Sequence, residues 1–234
     1  MNYGKFNQRN QVETPVSASK NPIMNLNEAV IYQIHLPSFV SREDSEFYFY
    51  QLIKKVYYLV SLGINTIQLF PVEQFDCGSW YDDCWNMTSI TYPGIIHSHF
   101  GTIEAFREMV NIFHQEGIQV LLEVNWSFFD TSSVLYDCDC SGKWGSFYSD
   151  FPITEVEEMR KPSFNTLKLT RKYIWKVLNR WRNEVGIDGI VWQYSSCLFY
   201  SGEYCLSEIG AVDHDGYSMI RDFVQDSDFV HVRN

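Results

Sequence analysis

Four short runs of β-branched and aromatic residues, each separated from the next by a helix-like stretch, constrain the possible folds of this chain more than any other feature. They are AVIYQIHL at 29–36, INTIQLF at 64–70, IQVLLEV at 118–124 and IDGIVWQ at 187–193. Phe47, Tyr50, Ile53, Val56, Tyr57 and Val60 recur at steps of three and four, which predicts one helix with these residues on its inner face, closed by Gly63. Ile103, Phe106, Val110 and Phe113, opened by Thr102 and stopped by Gly117, predict a second. Leu169, Tyr173, Ile174, Val177, Leu178, Trp181 and Val185 predict a third. Alternating strands and helices, with strands read as continuously apolar, indicate an α/β fold of parallel βαβ units whose sheet is covered on both faces.

The irregular stretches 72–101 and 125–164 follow strands rather than helices. Function therefore belongs at the C-terminal ends of the strands, an asymmetry that suits a (β/α) barrel better than an open dinucleotide-binding sheet. No GxGxxG, P-loop, Gly-x-Ser-x-Gly or His-Glu-x-x-His stretch appears, and no cofactor is expected. The strand at 187–193 delivers Gln193 to such an end. A glutamine can donate and accept hydrogen bonds there, but it cannot attack, protonate or carry charge.

With 234 residues the chain can bury one substantial core, and residues 1–27 read as a flexible N-terminal tail before one domain at 28–234. The net charge of −11 argues against nucleic acid or an anionic membrane as partner, since phosphate recognition needs clustered Lys and Arg. No apolar run is long enough for a membrane span, and the polar N-terminus has no apolar core of a signal peptide. The six cysteines form no CxxC pair, and Cys138-Asp139-Cys140 is too tight for a zinc knuckle. The expectation is a cytoplasmic protein with reduced thiols, in which the sequons at Asn86 and Asn125 are accidental. His97 and His99 have no third ligand at metal-binding spacing, so no metal is expected and the pair reads as a solvated loop.

The order of IYQIHLPSF, LGINTIQLFPVEQF, CGSWYDDCW, HFGTIEAFREMVNIFHQEGIQVLLEV, PSFNTLKLTRKYIWKVLNRWRNEVGIDGIVWQYSSCLFY and SGEY resembles consecutive stretches of α-glucan branching enzymes, in the α-amylase superfamily (glycoside hydrolase family 13). The resemblance implies an incomplete (β/α)8 TIM-type barrel of about five parallel strands with long strand-to-helix loops, the fifth within DFVHVRN. It also implies a reaction that cleaves an α-1,4 glucan link with retention and transfers the chain to a 6-hydroxyl, through a carboxylate nucleophile and a carboxyl acid/base.

Carried over position by position, the resemblance places Gln193 where the nucleophilic aspartate ends strand four and Val191 where its arginine stands. Glu123 holds the place of the aspartate that opens the strand-three segment, and Phe128 that of its sugar-binding histidine. Val232 or Arg233 falls at the acid/base glutamate, and no sequence for strands six to eight follows. The catalytic set is therefore expected not to be intact. His35, Trp80, Tyr81, Glu123 and Gln193 are the candidate substrate contacts. The alternatives are a barrel-lining role for His35, a Lys or Arg ion pair for Glu123, and core packing for Trp80, Trp126 and Trp144. The implied partners are an α-glucan, and a second copy or another chain that completes the barrel and covers its strand edges. The implied function is a branching-enzyme-like protein that has lost catalysis; an active enzyme completed by a second chain, or a structural partner, are the other readings.

Overall fold

The computed structural model describes residues 26–40, 46–75, 90–127, 129–130, 133, 148–152, 159–162, 169–201, 211–212, 214–225 and 230–233. Five parallel strands form the central sheet: β1 (Ile31–Ile34), β2 (Thr66–Leu69), β5 (Gln119–Val124), β9 (Gly189–Trp192) and β12 (Val230–Arg233), in the order β1-β2-β5-β9-β12. Each strand adds to the side of its predecessor, the progression of a (β/α) barrel. The fifth strand lies where the sequence places it, with Val232 paired to Val191 and Arg233 to Trp192.

The segments between these strands are less plain than their periodicity suggests. The first helix is two, α2 (Tyr48–Ile53) and α3 (Val56–Ser61), after a short α1 (Leu36–Phe39). Its buried face is also a different one. Phe49, Leu52, Val56 and Leu59 go inside, at spacings of three, four and three, whereas Phe47, Tyr57 and Val60 are exposed. Both stripes fit a helix, and the one that meets the sheet wins because it carries no phenol oxygen to satisfy. Helix α4 (Ile103–Gln115) agrees with its signals, with Thr102 Oγ1 accepting from Ala105 N at 3.2 Å. The third helix runs as α5 (Leu169–Arg180) and then widens into a π turn, Trp181–Val185.

A second sheet occupies the stretches expected to be loop. It contains β3 (Glu73–Phe75), β4 (Ile90–Ile96), β6 (Phe129–Asp130), β7 (Tyr148–Pro152) and β8 (Met159–Pro162), in the order β3-β4-β6-β8-β7. A short pair, β10 (Tyr200–Ser201) with β11 (Ala211–Val212), and the helices α6 (Ser196–Phe199) and α7 (His214–Gln225) complete the described elements.

The core lies between the central sheet and its helices. Ile34, Ile67, Leu69, Val120, Leu122, Val124, Ile190 and Trp192 contribute one sheet face to it, packed against Phe49, Phe106 and Trp181 among others. Phe49 and Phe106 stack at 4.6 Å between centroids, so α2 and α4 share an aromatic seam. Asp188 joins the layers by accepting from Val120 N at 2.7 Å and pairing with His114 at 2.8 Å.

The other face of the same strands overturns the expectation of continuously apolar strands. Alternate positions there hold Gln33, Gln68, Gln119 and Glu123 among Ile31, Thr66, Leu121, Gly189 and Val191. In a parallel barrel that face lines the interior, and here it carries three glutamines and a carboxylate.

Candidate functional site

Register determines which side chains meet. Gln33 on β1 is level with Gln68 on β2, and Glu123 on β5 with Val191 on β9, all on the polar face. Backbone pairing continues one residue past β9, where Gln193 N donates to Val124 O at 3.0 Å. Three glutamine side chains from three strand positions thus converge on one carboxylate. Gln33 Nε2 and Gln68 Nε2 donate to Glu123 Oε1, and Gln193 Nε2 donates to Glu123 Oε2. Glu123 is wholly buried, and no Lys, Arg or His is paired with it among the described residues. The Lys or Arg ion pair weighed from sequence is therefore replaced by a set of amides.

Val191 is buried and fills the floor level with Glu123, where an arginine would carry charge. His35 lies just past β1, half-buried, hydrogen-bonded through Nδ1 to Ser38 and edge-on to Phe70 at 5.5 Å. Trp80, Tyr81, Phe128 and Trp144 lie outside the described residues. Gln33 and Gln68 are the site members that sequence reasoning missed; the signal was a glutamine at matching depth in IYQI and TIQL.

A second buried carboxylate lies where the two sheets meet. Glu73 on β3 accepts from Trp126 Nε1 at 2.6 Å, Gly94 N at 2.6 Å and Trp181 Nε1 at 3.3 Å. Burial pushes its carboxyl up to about 7, against the opposing pull of these three donors. Trp126 is fully buried and spends its indole N–H on Glu73, so it is core and not a platform for a sugar. His97 is buried too, stacked on Phe75 at 4.4 Å, which corrects the solvated-loop reading for that member of the His-x-His pair. Burial, with some help from His99, lowers its imidazole to about 4. Among the described residues no three His, Cys, Asp or Glu side chains are grouped to hold a metal ion.

One expectation about cellular context changes, and one bears on burial. Cys197 in α6 is disulfide-bonded, which overturns the reading of uniformly reduced thiols and removes that support for a cytoplasmic location. Asn125 is completely buried, so its sequon offers no attachment point for a glycan, whereas Asn86 lies outside the described residues. No helix among the described residues is long and apolar enough to cross a membrane.

Chemically, the strand ends offer a neutral amide at the position the resemblance assigns to the nucleophile. An amide cannot form a glycosyl ester, and its oxygen brings no full charge to a developing oxocarbenium ion. Glu123 is the carboxylate in this cluster, and both of its oxygens are occupied by amide donors.

Comparison with known proteins gives this geometry a set of relatives. No family model matches the chain. The 1,4-α-glucan branching enzyme GlgB of Fusobacterium nucleatum is 29% identical over 174 residues, covering 73% of this chain and 27% of the enzyme. Malto-oligosyltrehalose trehalohydrolase of Saccharolobus solfataricus is 27% identical over 69% of the chain and 26% of its own length. The chain therefore spans about a quarter of the curated relatives it matches. Among solved structures, a maltogenic α-amylase from Thermotoga neapolitana matches with a TM-score of 0.66 at 18% identity, over 90% of this chain and 46% of that one. Trehalose-6-phosphate hydrolase of Bacillus licheniformis matches with a TM-score of 0.67 at 18% identity, over 88% and 44%. The parallel sheet order and this consistent set of relatives together make the chain similar to enzymes of the α-amylase superfamily, glycoside hydrolase family 13, over about a quarter of their length.

Proposed function

We propose that this chain is a branching-enzyme-like member of α-glucan metabolism that has lost catalysis and retains its strand ends as a glucan-binding surface. The observation that carries the reading is the engagement of Gln193. Its amide nitrogen is held by Glu123, so the residue at the nucleophile's position serves as a structural donor. Relatives that include branching enzymes, a trehalohydrolase and maltogenic amylases support a carbohydrate substrate class. The absent nucleophile and its arginine remove many kcal/mol of transition-state stabilisation, far more than one misplaced side chain costs. Purified protein incubated with amylose should leave the iodine colour unchanged over hours. A time-dependent colour shift that disappears in Glu123→Gln would overturn the proposal.

A second reading, association with a partner chain, is favoured by the sheet edges. Among the described residues β1 pairs only with β2, and β12 only with β9. Edge backbone groups of this kind template further strands even though the inner face is polar. The chain should therefore sediment as a dimer or larger species, and a monomer across the accessible concentration range would remove this reading.

A further inference from the structure

Val30 O accepts from Thr66 N at 3.3 Å, and Ile34 O accepts from Phe70 N at 3.0 Å. Alternate residues along β1 therefore turn their backbone groups toward β2. Ile31 and Gln33, which lie between them, direct their N–H and C=O groups to the opposite side. That side is also the uncovered one. Val30 is 50% exposed and Ile31 42%, whereas no residue of β2, β5 or β9 is exposed. Apolar side chains beside outward backbone donors and acceptors form a template for another strand. The inward face indicates how many strands the completed sheet holds. Bulky branched side chains fill the interior of an eight-stranded barrel. Here the inward positions include Gln33, Gln68, Gln119, Glu123, Thr66 and Gly189, which are polar or very small. Such a set fits a wider and wetter bore, and the bore widens with strand number.

We propose that the chain forms a twofold dimer in which β1 of each copy adds in parallel to β12 of the other, closing one ten-stranded barrel. The inference rests on the association reading above, and it names the partner, a second copy, and the two edges that meet. All five central strands run in the same sense, so β12 of one copy meets β1 of the next without reversal. One twofold rotation about the barrel axis then satisfies all four edges at once. A contact between two β1 strands across a twofold axis is antiparallel and leaves both β12 edges open. A different chain that brought three strands would make eight, a count that the polar interior of this sheet fits less well.

The test places the photocrosslinking residue p-benzoylphenylalanine at position 31 of the full chain. Physiological ionic strength is used, because the net charge of −11 on each copy opposes association at long range. Irradiation should give an adduct of twice the chain mass, with position 31 joined to the peptide that holds Val230–Arg233 of the other copy. Joining to 26–34 of the other copy overturns the proposal. Ile31→Lys changes an already exposed position and should weaken the dimer about a hundredfold or more, by placing an unpaired charge inside the closed barrel. A dimer of unchanged strength in that variant overturns the proposal too. If the altered chains do not fold, hydrogen exchange decides on the unaltered protein. The Ile31 and Gln33 amides should exchange at least about tenfold more slowly than in an unstructured peptide of the same sequence, and unslowed exchange overturns the idea. The two readings fail in different ways. A monomer at every accessible concentration sinks the association reading and this one together, whereas a dimer with no adduct to 230–233 sinks this one alone.

Discussion

Between pH 4.5 and 6.5, the ordinary values for Glu and His, Glu73 and His97 should pull the stability of the chain in opposite directions and largely cancel. Glu73 has its folded pKa raised to about 7, so across this window the folded chain keeps a proton that the unfolded chain has released. Its contribution is fully present below 4.5 and is lost as the pH rises through 7. His97 has its folded pKa lowered to about 4, so the unfolded chain binds the extra proton; its contribution is present above 6.5 and is lost as the pH falls through 4. Each group moves the unfolding free energy by on the order of 3 kcal/mol across its window. Replacement exposes the hidden dependence. His97→Asn should lose about 3 kcal/mol, relative to wild type, between pH 4.5 and 7. Glu73→Gln should show the reverse slope, on top of a general loss from placing an amide NH2 against the Trp126 indole N–H. Urea unfolding at a series of pH values reads both slopes; an His97→Asn profile parallel to wild type would show that His97 does not titrate at a lowered value in the fold, and a parallel Glu73→Gln profile would show that Glu73 does not titrate at a raised one.

Gly94→Ala should cost about 3 kcal/mol or more, although it adds a single methyl group. Gly94 has φ +82°, a conformation that L side chains rarely adopt, and a Cβ built there meets Val177 Cγ2 at 2.8 Å. The residue cannot simply shift away. Its N–H donates to Glu73, its carbonyl accepts from Arg180 Nη1 at 3.0 Å, and the neighbouring Pro93 carbonyl accepts from Tyr173 Oη at 2.5 Å. Strain at φ and overpacking against α5 therefore add. The double variant Gly94→Ala with Val177→Ala should lose less stability than the two single losses combined, because the steric part is shared between the residues. Thermal or urea unfolding measures the cycle. A Gly94→Ala chain within 0.5 kcal/mol of wild type would mean that β4 reaches the helix more loosely than its hydrogen bonds indicate.

Much of this fold is legible in the chain, and the errors have specific physical sources. The strand–helix alternation identified four of the five central strands, because buried parallel strands are dominated by Ile, Val and Leu at sheet positions that face helices, and the fifth came from the resemblance. The helix at 48–61 was located correctly but rotated, since the Phe47–Val60 and Phe49–Leu59 stripes share the same period. The second sheet escaped notice because its strands are short and carry Gly94, Pro93 and polar residues, the usual marks of a loop. At the site, the substitution at Gln193 was visible in the sequence, but its partners were not. Gln33, Gln68 and Glu123 lie far apart along the chain, and only the sheet, which pairs Gln33 with Gln68 and Gln68 with Leu121 two residues before Glu123, brings their side chains within reach.

The π turn after α5 gives the helical layer one place where its length can change. Gly186 N donates to Trp181 O at 3.0 Å, a five-residue closure that accommodates one residue more than an α turn. Deleting one of residues 182–184 therefore restores ordinary winding with α5 still in phase, and Trp181, Arg180 and Tyr173 keep their bonds to Glu73, Gly94 and Pro93. The same deletion within 174–179 rotates Tyr173 by about 100° against Arg180 and Trp181. A codon lost at the turn leaves the second sheet joined to the central one, whereas a codon lost one turn earlier would part them.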